Sequence, residues 1–189
     1  MKFTPLAIKE VLLIEPKVFG DNRGFFMETF RRDLFCEHGI TDDFVQWNHS
    51  LSVKNTLRGL HYQVEKPQGK LVRVVRGEVF DVAVDVRSGS PTYGRWVAEK
   101  LSAENRKMLF VPAGFAHGFC VMSDTAEFIY ACTDYYHPRG ERGIIWDDLD
   151  LNIAWPVREP ILSGKDKLYP RFRDLGRDFI YGGMQPPRQ

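Results

Sequence analysis

The chain has 189 residues and a mass of 21.9 kDa, which fits one domain of ordinary to large size. Hydrophobic residues make up 43% of the sequence and aromatic residues 13%, enough for a packed core, so a disordered chain is excluded. The 26 basic and 25 acidic residues leave a net charge of +1. No global field therefore attracts the chain to nucleic acid or to anionic lipid.

The predicted elements begin with an apolar, extended segment over residues 6–19, interrupted by Pro16, and a short aromatic strand over residues 24–30. Residues 31–38 predict two helical turns, with Gly39 capping the C-terminal end. Runs rich in Val, Phe, Tyr, Trp and Thr then predict strands at 44–53, 57–63, 70–75, 78–86, 95–101, 108–111, 117–122 and 127–134.

These strands are close together in sequence, and Arg76-Gly77 predicts a tight hairpin between the two strands that flank it. Many short strands with little helix favour an antiparallel barrel or sandwich over a parallel sheet. The proline-rich end of the chain predicts an irregular segment lying on that barrel. We therefore expect one all-β domain over residues 1–189, with the barrel over about 1–160 and the C-terminal segment 161–189 packed on it.

The same sequence predicts a cytoplasmic protein. No apolar run approaches the roughly 18 residues of a membrane span, and the N-terminus lacks a signal-peptide profile. The three cysteines, Cys36, Cys120 and Cys132, cannot make a disulfide framework and show no CxxC spacing. We expect neither a membrane nor a nucleic-acid partner.

Polar residues interrupt the apolar strands most densely at residues 57–70, which hold Arg58, His61 and Lys70. Polar groups within strands are costly unless paired, so they indicate where chemistry can occur. Each residue alone fits a solvent-facing strand edge, but together they predict the wall of a pocket for an anionic or carbonyl substrate. Strict alternation puts Arg58 and His61 on opposite faces. Gly59 between them permits a bulge that re-aims one side chain.

A second cluster surrounds His117, which follows a turn bounded by Pro112 and Gly114. If the next hairpin turns at residues 123–124, His117 lies directly across from Tyr130. A lone histidine in a strand usually has a structural role. When it faces a tyrosine whose hydroxyl points into the barrel, a structural role and a role in a site are about equally well supported. Both interpretations stay open at this point.

Metal and cofactor motifs are missing from the sequence. His61-Tyr62-Gln63 lacks the second histidine of an H-x-H ligand pair. The glycine-rich phosphate loops are absent, and no serine lies on a nucleophile elbow. We predict no metal and no cofactor, which leaves acid–base chemistry by His, Tyr, Lys and Asp around a sugar-sized or carbonyl-sized pocket.

Seven motifs occur in a familiar order: residues 21–28 (DNRGFFME), 46–50 (QWNHS), 57–63 (LRGLHYQ), 68–73 (QGKLVR), 77–82 (GEVFDV), 112–119 (PAGFAHGF) and 162–166 (LSGKD). Through them the chain resembles the dTDP-4-dehydrorhamnose 3,5-epimerase family over about residues 3–166. The resemblance implies a metal-free cupin-type jelly roll and a homodimer. It also implies epimerisation at C3 and C5 of a dTDP-4-keto-6-deoxyhexose, dTDP-4-dehydro-6-deoxy-D-glucose, to dTDP-4-dehydro-L-rhamnose through an enolate.

Two alternatives stay open beside this function. Nucleotide-sugar epimerases of deoxysugar pathways that act only at C5 or only at C3 share most of these motifs. A non-catalytic sugar-binding cupin is the other alternative, although a binding protein has no need for an acid–base set. A homodimer is also expected because the apolar segment 6–14 is unsuited to a free barrel edge.

The resemblance further implies a role for each site residue. His61 would be the base beside the C4 ketone, Asp166 would orient its imidazole, Tyr130 would return a proton from the opposite face, and Lys70 would stabilise the enolate oxygen. The implied substrate-binding residues are Arg23, Arg58 and His117 for the diphosphate and sugar, Glu28, Gln46, Asn48, Glu141 and Lys165 for the nucleotide, Tyr136 for stacking on thymine, and Phe26. A base and an acid on opposite faces are what inversion beside a ketone requires, with a cation at the carbonyl oxygen.

Overall fold

The computed structural model describes residues 1–183. Its strands are β1 (Lys2–Pro5), β2 (Leu12–Glu15), β3 (Val18–Asp21), β4 (Gly24–Met27), β5 (Gln46–Val53), β6 (Leu57–Gln63), β7 (Lys70–Arg76), β8 (Glu78–Asp85), β9 (Arg87–Ser88), β10 (Trp96–Ser102), β11 (Met108–Val111), β12 (Phe115–Val121), β13 (Thr125–Cys132), β14 (Glu141–Gly143) and β15 (Phe179–Ile180). The helix α1 spans Arg32–Glu37, and 3-10 turns span Pro138–Gly140 and Phe172–Asp174.

Two antiparallel sheets build the barrel. One has six strands in the order β1-β2-β11-β7-β13-β5, and the other has five in the order β10-β8-β12-β6-β14. Apolar side chains of both sheets, such as Val72 and Phe128 from the first and Val79 and Phe119 from the second, pack in one core. This is the predicted all-β jelly roll, in which the chain passes repeatedly from one sheet to the other.

The local predictions are mostly confirmed. The eight strands predicted between residues 44 and 134 are β5 to β8 and β10 to β13, and each begins and ends within two residues of its predicted bounds. The short strands β9, β14 and β15 were not predicted. Helix α1 ends before Gly39, whose φ of +83° suits a glycine cap. The helix covers the outer side of the six-stranded sheet, where Phe35 is fully buried against Leu71 and Phe110. No helix among residues 1–183 is long and apolar enough to cross a membrane.

The two predicted hairpins are wrong. Strand β7 pairs with β11 and β13, whereas β8 pairs with β10 and β12, so Arg76-Gly77 carries the chain from one sheet to the other. Strands β12 and β13 also lie in different sheets. His117 is therefore opposite His61 and Ala83 rather than Tyr130. A tight glycine turn has the same local signature in a hairpin and in a crossover between sheets.

The N-terminal segment, predicted as extended over residues 6–19, is a strand only in part, at β2 and the start of β3. Residues 6–11 form a turn in which the N–H of Leu6 donates to the carbonyl of Val11 at 3.0 Å, and β2 lies between β1 and β11 instead of at an edge. Ile8, Val11 and Ile14 are buried in the chain's own core. Packing within the chain explains the apolar character of this segment, so our argument from it for a dimer is wrong.

The C-terminal segment lies against the barrel at several places. The N–H of Ile161 donates to the carbonyl of Asn55 at 2.9 Å, and β15 pairs in parallel with β9. The hydroxyl of Tyr62 donates to Asp178 at 2.8 Å. The packing predicted for residues 184–189 lies outside the described residues.

The crossover between β7 and β8 depends on Gly77, whose φ is +74°. A Cβ there would lie 2.1 Å from the carbonyl oxygen of Thr125. We expect Gly77→Ala to lower the free energy of unfolding by roughly 3 kcal/mol or more, because backbone atoms must move. Gly89→Ala is the matched control, since Gly89 has a φ of +83° and nothing within 4 Å of its Cβ position.

In the control Gly89→Ala, the free energy of unfolding should fall only by the cost of a non-glycine residue in left-handed backbone, roughly 1–2 kcal/mol. Urea unfolding of the two variants and the parent measures both losses. Equal losses would show that the close approach at Gly77 does not matter for stability.

Candidate active site

A cavity of about 740 Å³ opens in the barrel and is lined by residues of both sheets and of the C-terminal segment. Most of the predicted site residues line it: Gln46, Asn48, Arg58, His61, Lys70, His117, Tyr130, Tyr136, Glu141, Lys165 and Asp166. The structure thus brings together side chains that are up to 120 positions apart in the sequence, from Gln46 to Asp166.

The His61 imidazole is held by Asp166. Its Nε2–H donates to Asp166 Oδ1 at 2.5 Å, and the backbone N–H of Asp166 donates to Ser163 Oγ at 3.1 Å. Burial raises the pKa of Asp166, but the hydrogen bond and charge of His61 outweigh burial, so this pKa lies below its ordinary value. An ionised carboxylate on Nε2–H selects the tautomer in which Nδ1 carries the lone pair. Nδ1 is therefore the basic nitrogen of this pair.

The predicted bulge at Gly59 is confirmed. The register of β6 against β12 shifts between His61 and Arg58, so that Gly59 and Leu60 face one residue, Gly118. The φ of Gly59 is +128°, and a Cβ there would lie 2.5 Å from the Cα of Gly118. The extra residue changes the alternation, and both Arg58 and His61 line the cavity.

Lys70 and Tyr130 reach the cavity from the six-stranded sheet, opposite the sheet that carries His61. The ammonium of Lys70 donates to the backbone carbonyl of His61 at 3.4 Å. Burial lowers the pKa of Lys70, because a charged ammonium is costly where water is excluded. Burial also raises the pKa of Tyr130, so the phenol keeps its proton at neutral pH. A proton acceptor and a proton donor thus lie on opposite walls of one cavity.

A second histidine–carboxylate pair joins β12, the neighbour of β6, to β8, the next strand of the sheet. The Nε2–H of His117 is 2.9 Å from Asp81 Oδ1 and 3.0 Å from Oδ2, and Asp81 is fully buried. Burial raises the pKa of Asp81, while the charge and hydrogen bond of His117 oppose that rise. Sequence reasoning missed Asp81 as a partner, because it depends on the pairing of β8 with β12.

Glu141 is the centre of a hydrogen-bond network. It accepts from the hydroxyls of Tyr136 and Tyr169, both at 2.6 Å, and from the ammonium of Lys165. Burial works against the charged carboxylate, but these three donors outweigh burial and lower the pKa of Glu141 to about 2. Tyr169, which sequence reasoning missed, also contacts the His61 ring edge-on, with centroids 5.5 Å apart.

The side-chain amides of Gln46, Asn48 and Gln68 form hydrogen bonds that hold the part of the cavity around Tyr136. Gln46 accepts from the N–H of Tyr136 at 2.7 Å and donates to Asn48 at 3.0 Å. Gln68 donates to the carbonyl of Asp134 at 2.8 Å, which holds the loop that carries Tyr136. The cavity also has lining residues without a predicted role: Trp47, His49, Ser50, Tyr62, Gln63, Gln68, Phe119, Phe128, Cys132 and Ser163. Several belong to the motifs, but only the folded chain shows which of them face the cavity.

Arg23, Phe26 and Glu28 do not line the cavity. They lie on or just after the β3–β4 hairpin, which pairs with neither large sheet. Arg23 binds Asp21 at 2.5 Å, and Phe26 is 70% exposed. The structure therefore separates these three predicted binding residues from the other eleven.

Within residues 1–183, no group of three His, Cys, Asp or Glu side chains is arranged to hold a metal ion. The cavity has instead the means to transfer protons and to bind an anion. His61 can accept a proton and Tyr130 can donate one, and Arg58, Lys70 and Lys165 are the cationic side chains among the lining residues.

Comparisons with known proteins agree with this chemistry. The family profile described as dTDP-4-dehydrorhamnose 3,5-epimerase matches residues 5–174. The chain is 59% identical over 176 residues to a dTDP-4-dehydrorhamnose 3,5-epimerase of Shigella flexneri, covering 92% of this chain and 97% of that one. It is 55% identical over 178 residues to the enzyme of that name from Pseudomonas aeruginosa, again with 92% and 97% covered.

A solved structure is similar over nearly the whole chain. It is a dTDP-6-deoxy-D-glucose-3,5-epimerase from Legionella pneumophila in complex with dTDP-4-keto-L-rhamnose. The TM-score is 0.91 at 50% identity, and the match covers 95% of this chain and 96% of that one.

Ionised Glu141 should stabilise the folded protein, and this stabilisation should be lost in acid. Its pKa falls from 4.5 to about 2 in the folded protein, so its contribution is fully present above pH 4.5 and is lost as the pH falls towards 2. We expect up to about 3 kcal/mol from this group, because each pKa unit corresponds to about 1.4 kcal/mol. Glu141→Gln should remove that part of the acid-induced loss.

Urea unfolding at a series of pH values from about 6 to 2 measures this dependence. Glu104→Gln, at an exposed position, is the matched control and should keep the parent profile. A Glu141→Gln profile parallel to that of the parent would contradict the expected role of this carboxylate.

Proposed function

Because the chain belongs to the dTDP-4-dehydrorhamnose 3,5-epimerase family, we propose that it converts dTDP-4-dehydro-6-deoxy-D-glucose to dTDP-4-dehydro-L-rhamnose by inverting C3 and C5. The observation that carries this proposal is the placement of His61 and Tyr130 on opposite sheets that line one cavity. A stereocentre is inverted when a proton leaves one face and another arrives at the opposite face. The chain is thus an isomerase.

In the first step, Nδ1 of His61 takes the proton from the carbon beside the C4 ketone. The electron pair of the broken C–H bond moves into the C–C bond, and the carbonyl electrons move onto oxygen to form an enolate. Asp166 stabilises the imidazolium that results, since its carboxylate is ionised and 2.5 Å from Nε2. Such general base catalysis contributes on the order of 10²–10⁴-fold.

Lys70 stabilises the enolate oxygen. Its buried ammonium is poorly hydrated, so an oxyanion nearby interacts with it more strongly than it would in water. The C4 ketone itself acidifies the neighbouring C–H bonds, and Lys70 supplies the positive charge at oxygen, so the reaction uses neither a metal nor a cofactor. C3 and C5 both flank this ketone, and one oxyanion site serves both inversions.

In the second step, the hydroxyl of Tyr130 gives its proton to the opposite face of the same carbon. The enolate electrons return to form the new C–H bond and the C4 carbonyl. Burial favours the neutral phenol, which keeps the proton on Tyr130 until the enolate is present. The His61 imidazolium then releases its proton to solvent and the tyrosinate takes one up, which restores both groups for the next turnover.

The rest of the cavity binds the nucleotide diphosphate. Arg58 supplies positive charge for the diphosphate, His117 contacts the diphosphate and sugar, and Lys165 contacts the nucleotide. Gln46 and Asn48 provide amide groups for the nucleotide, and the exposed ring of Tyr136 is free to stack on thymine. We also propose a cytoplasmic enzyme, since Cys36, Cys120 and Cys132 are free thiols.

We further propose a homodimer, now on the basis of exposed apolar surface. Trp47, Leu51 and Val53 are more than half exposed along the edge strand β5, and so are Phe19, Phe25 and Phe26 on the β3–β4 hairpin. In a homodimer, the hairpin of one protomer can lie over the cavity of its partner. That arrangement would bring Arg23, Phe26 and Glu28 to the nucleotide although they are absent from their own cavity.

Light scattering should give a mass of about 44 kDa, twice the 21.9 kDa of the chain. Leu51→Glu places a charge on the exposed apolar surface and should shift the mass towards the monomer. Leu149→Glu is the control, because Leu149 is also exposed but lies outside both apolar groups. A parent mass near 22 kDa at micromolar concentration would contradict the dimer.

The roles of His61 and Tyr130 predict different outcomes for their variants. His61→Asn should abolish both epimerisation and the exchange of substrate protons with deuterated water, because no enolate forms. Tyr130→Phe removes only a hydroxyl, so it should retain exchange at C5 while losing inverted product. NMR in deuterated water with dTDP-4-keto-6-deoxy-glucose measures exchange and product together.

Tyr181→Phe, at an exposed tyrosine distant from these residues in the sequence, is the control and should match the parent. Full inversion at the parent rate in Tyr130→Phe would remove Tyr130 from the mechanism. The parent enzyme should exchange both C3 and C5, and exchange at only one of them would identify a mono-epimerase.

A further inference from the structure

We propose that Tyr169 is a positioning residue that holds the His61 imidazole in its reactive orientation and ties it to Glu141. This inference rests on the proposed function of His61 as the base. It concerns a residue outside the seven sequence motifs, and the proton transfers described above do not use it.

Tyr169 makes two contacts that together link the base to the network around Glu141. Its ring lies 5.5 Å from the His61 ring at an interplanar angle of 65°, an edge-to-face contact. Its hydroxyl donates to Glu141 Oε1 at 2.6 Å. Burial and this hydrogen bond raise the pKa of Tyr169, so the hydroxyl remains a donor throughout the neutral range.

The fold leaves a slot for this ring at Gly143. Gly143 of β14 is paired with His61 of β6, and a Cβ on Gly143 would lie 2.6 Å from two carbons of the Tyr169 ring. Glu141 is two residues away on the same strand and therefore on the same face. Strand β14 therefore does two things for Tyr169. Gly143 leaves space for its ring beside His61, and Glu141 accepts the hydrogen bond from its hydroxyl.

Asp166 alone does not fix the imidazole in every direction. A hydrogen bond at Nε2 sets the tautomer and one anchor point, but the ring can still swing about its own torsions. The Tyr169 ring packs against it from the side, and Tyr169 follows Asp166 by three residues in the same segment. One segment therefore supplies both the hydrogen bond and the packing that direct Nδ1 towards the substrate.

Two substitutions separate the ring from the hydroxyl. Tyr169→Leu removes the aromatic ring and should lower kcat on the order of tenfold or more while KM changes by less than about twofold, because small misplacements of a reacting group are costly. Tyr169→Phe keeps the ring and should recover most of kcat. Tyr181→Leu, at an exposed tyrosine of the same C-terminal segment, is the control and should leave both constants unchanged.

A spectroscopic measurement follows the base directly. The proton shared by His61 Nε2 and Asp166 should give a far-downfield proton NMR signal in the parent and in Tyr169→Phe. In Tyr169→Leu the signal should broaden or move upfield, since the ring is free to swing.

The outcomes distinguish this inference from the proposed function. Unchanged kcat and an unchanged signal in Tyr169→Leu, in an enzyme that His61→Asn inactivates, would overturn the role of Tyr169 alone. A rise in KM at constant kcat would also overturn it, since Tyr169 would then act in binding through Glu141. Full activity of His61→Asn would overturn the proposed base instead, whatever Tyr169→Leu does.

Discussion

The hydrogen bond between His61 and Asp166 joins two residues 105 positions apart, and the rest of the site is organised around it. It connects a strand of the five-stranded sheet to the C-terminal segment, so that this segment forms one side of the cavity. Because the bond engages Nε2, it leaves the lone pair on Nδ1, the nitrogen that acts as the base in the proposed mechanism. Lys165 and Tyr169 flank Asp166 in sequence and meet Glu141 on β14. The tautomer of His61 and the position of the C-terminal segment that carries Asp166 therefore depend on each other.

Each of three carboxylates in the cavity region has a nitrogen partner. Asp166 and Asp81 are buried against His61 and His117, and Glu141 binds the ammonium of Lys165. Arg58 and Lys70 are different, because they hydrogen-bond to the hydroxyl of Ser52 and to the carbonyl of His61. These neutral partners do not neutralise their charges, which is what the proposed contacts with the diphosphate and the enolate oxygen require.

The two sheets divide the chemistry between them. His61 and His117 lie side by side on β6 and β12, whereas Lys70 and Tyr130 come from β7 and β13 of the other sheet. In the proposed mechanism a sugar ring held between the sheets presents one face to each of them. Because the jelly-roll cavity has two different walls, it can place an acid and a base on opposite sides of one substrate. The bulge at Gly59 directs both Arg58 and His61 into that cavity.

The sequence by itself determined most of the strands, the all-β class, the bulge at Gly59 and eleven of the residues that meet in the cavity. These features follow from short-range patterns of apolar residues and turn residues, and from motifs that the family shares. Only the tertiary structure decided that Gly77 leads into the other sheet and that His117 faces His61. It also decided that Asp81 and Tyr169 support the two histidines, and that Arg23, Phe26 and Glu28 lie apart from their own cavity. The physical reason is that strand pairing depends on burying side chains distant in sequence, and a local turn signal is the same whichever strand lies beside it.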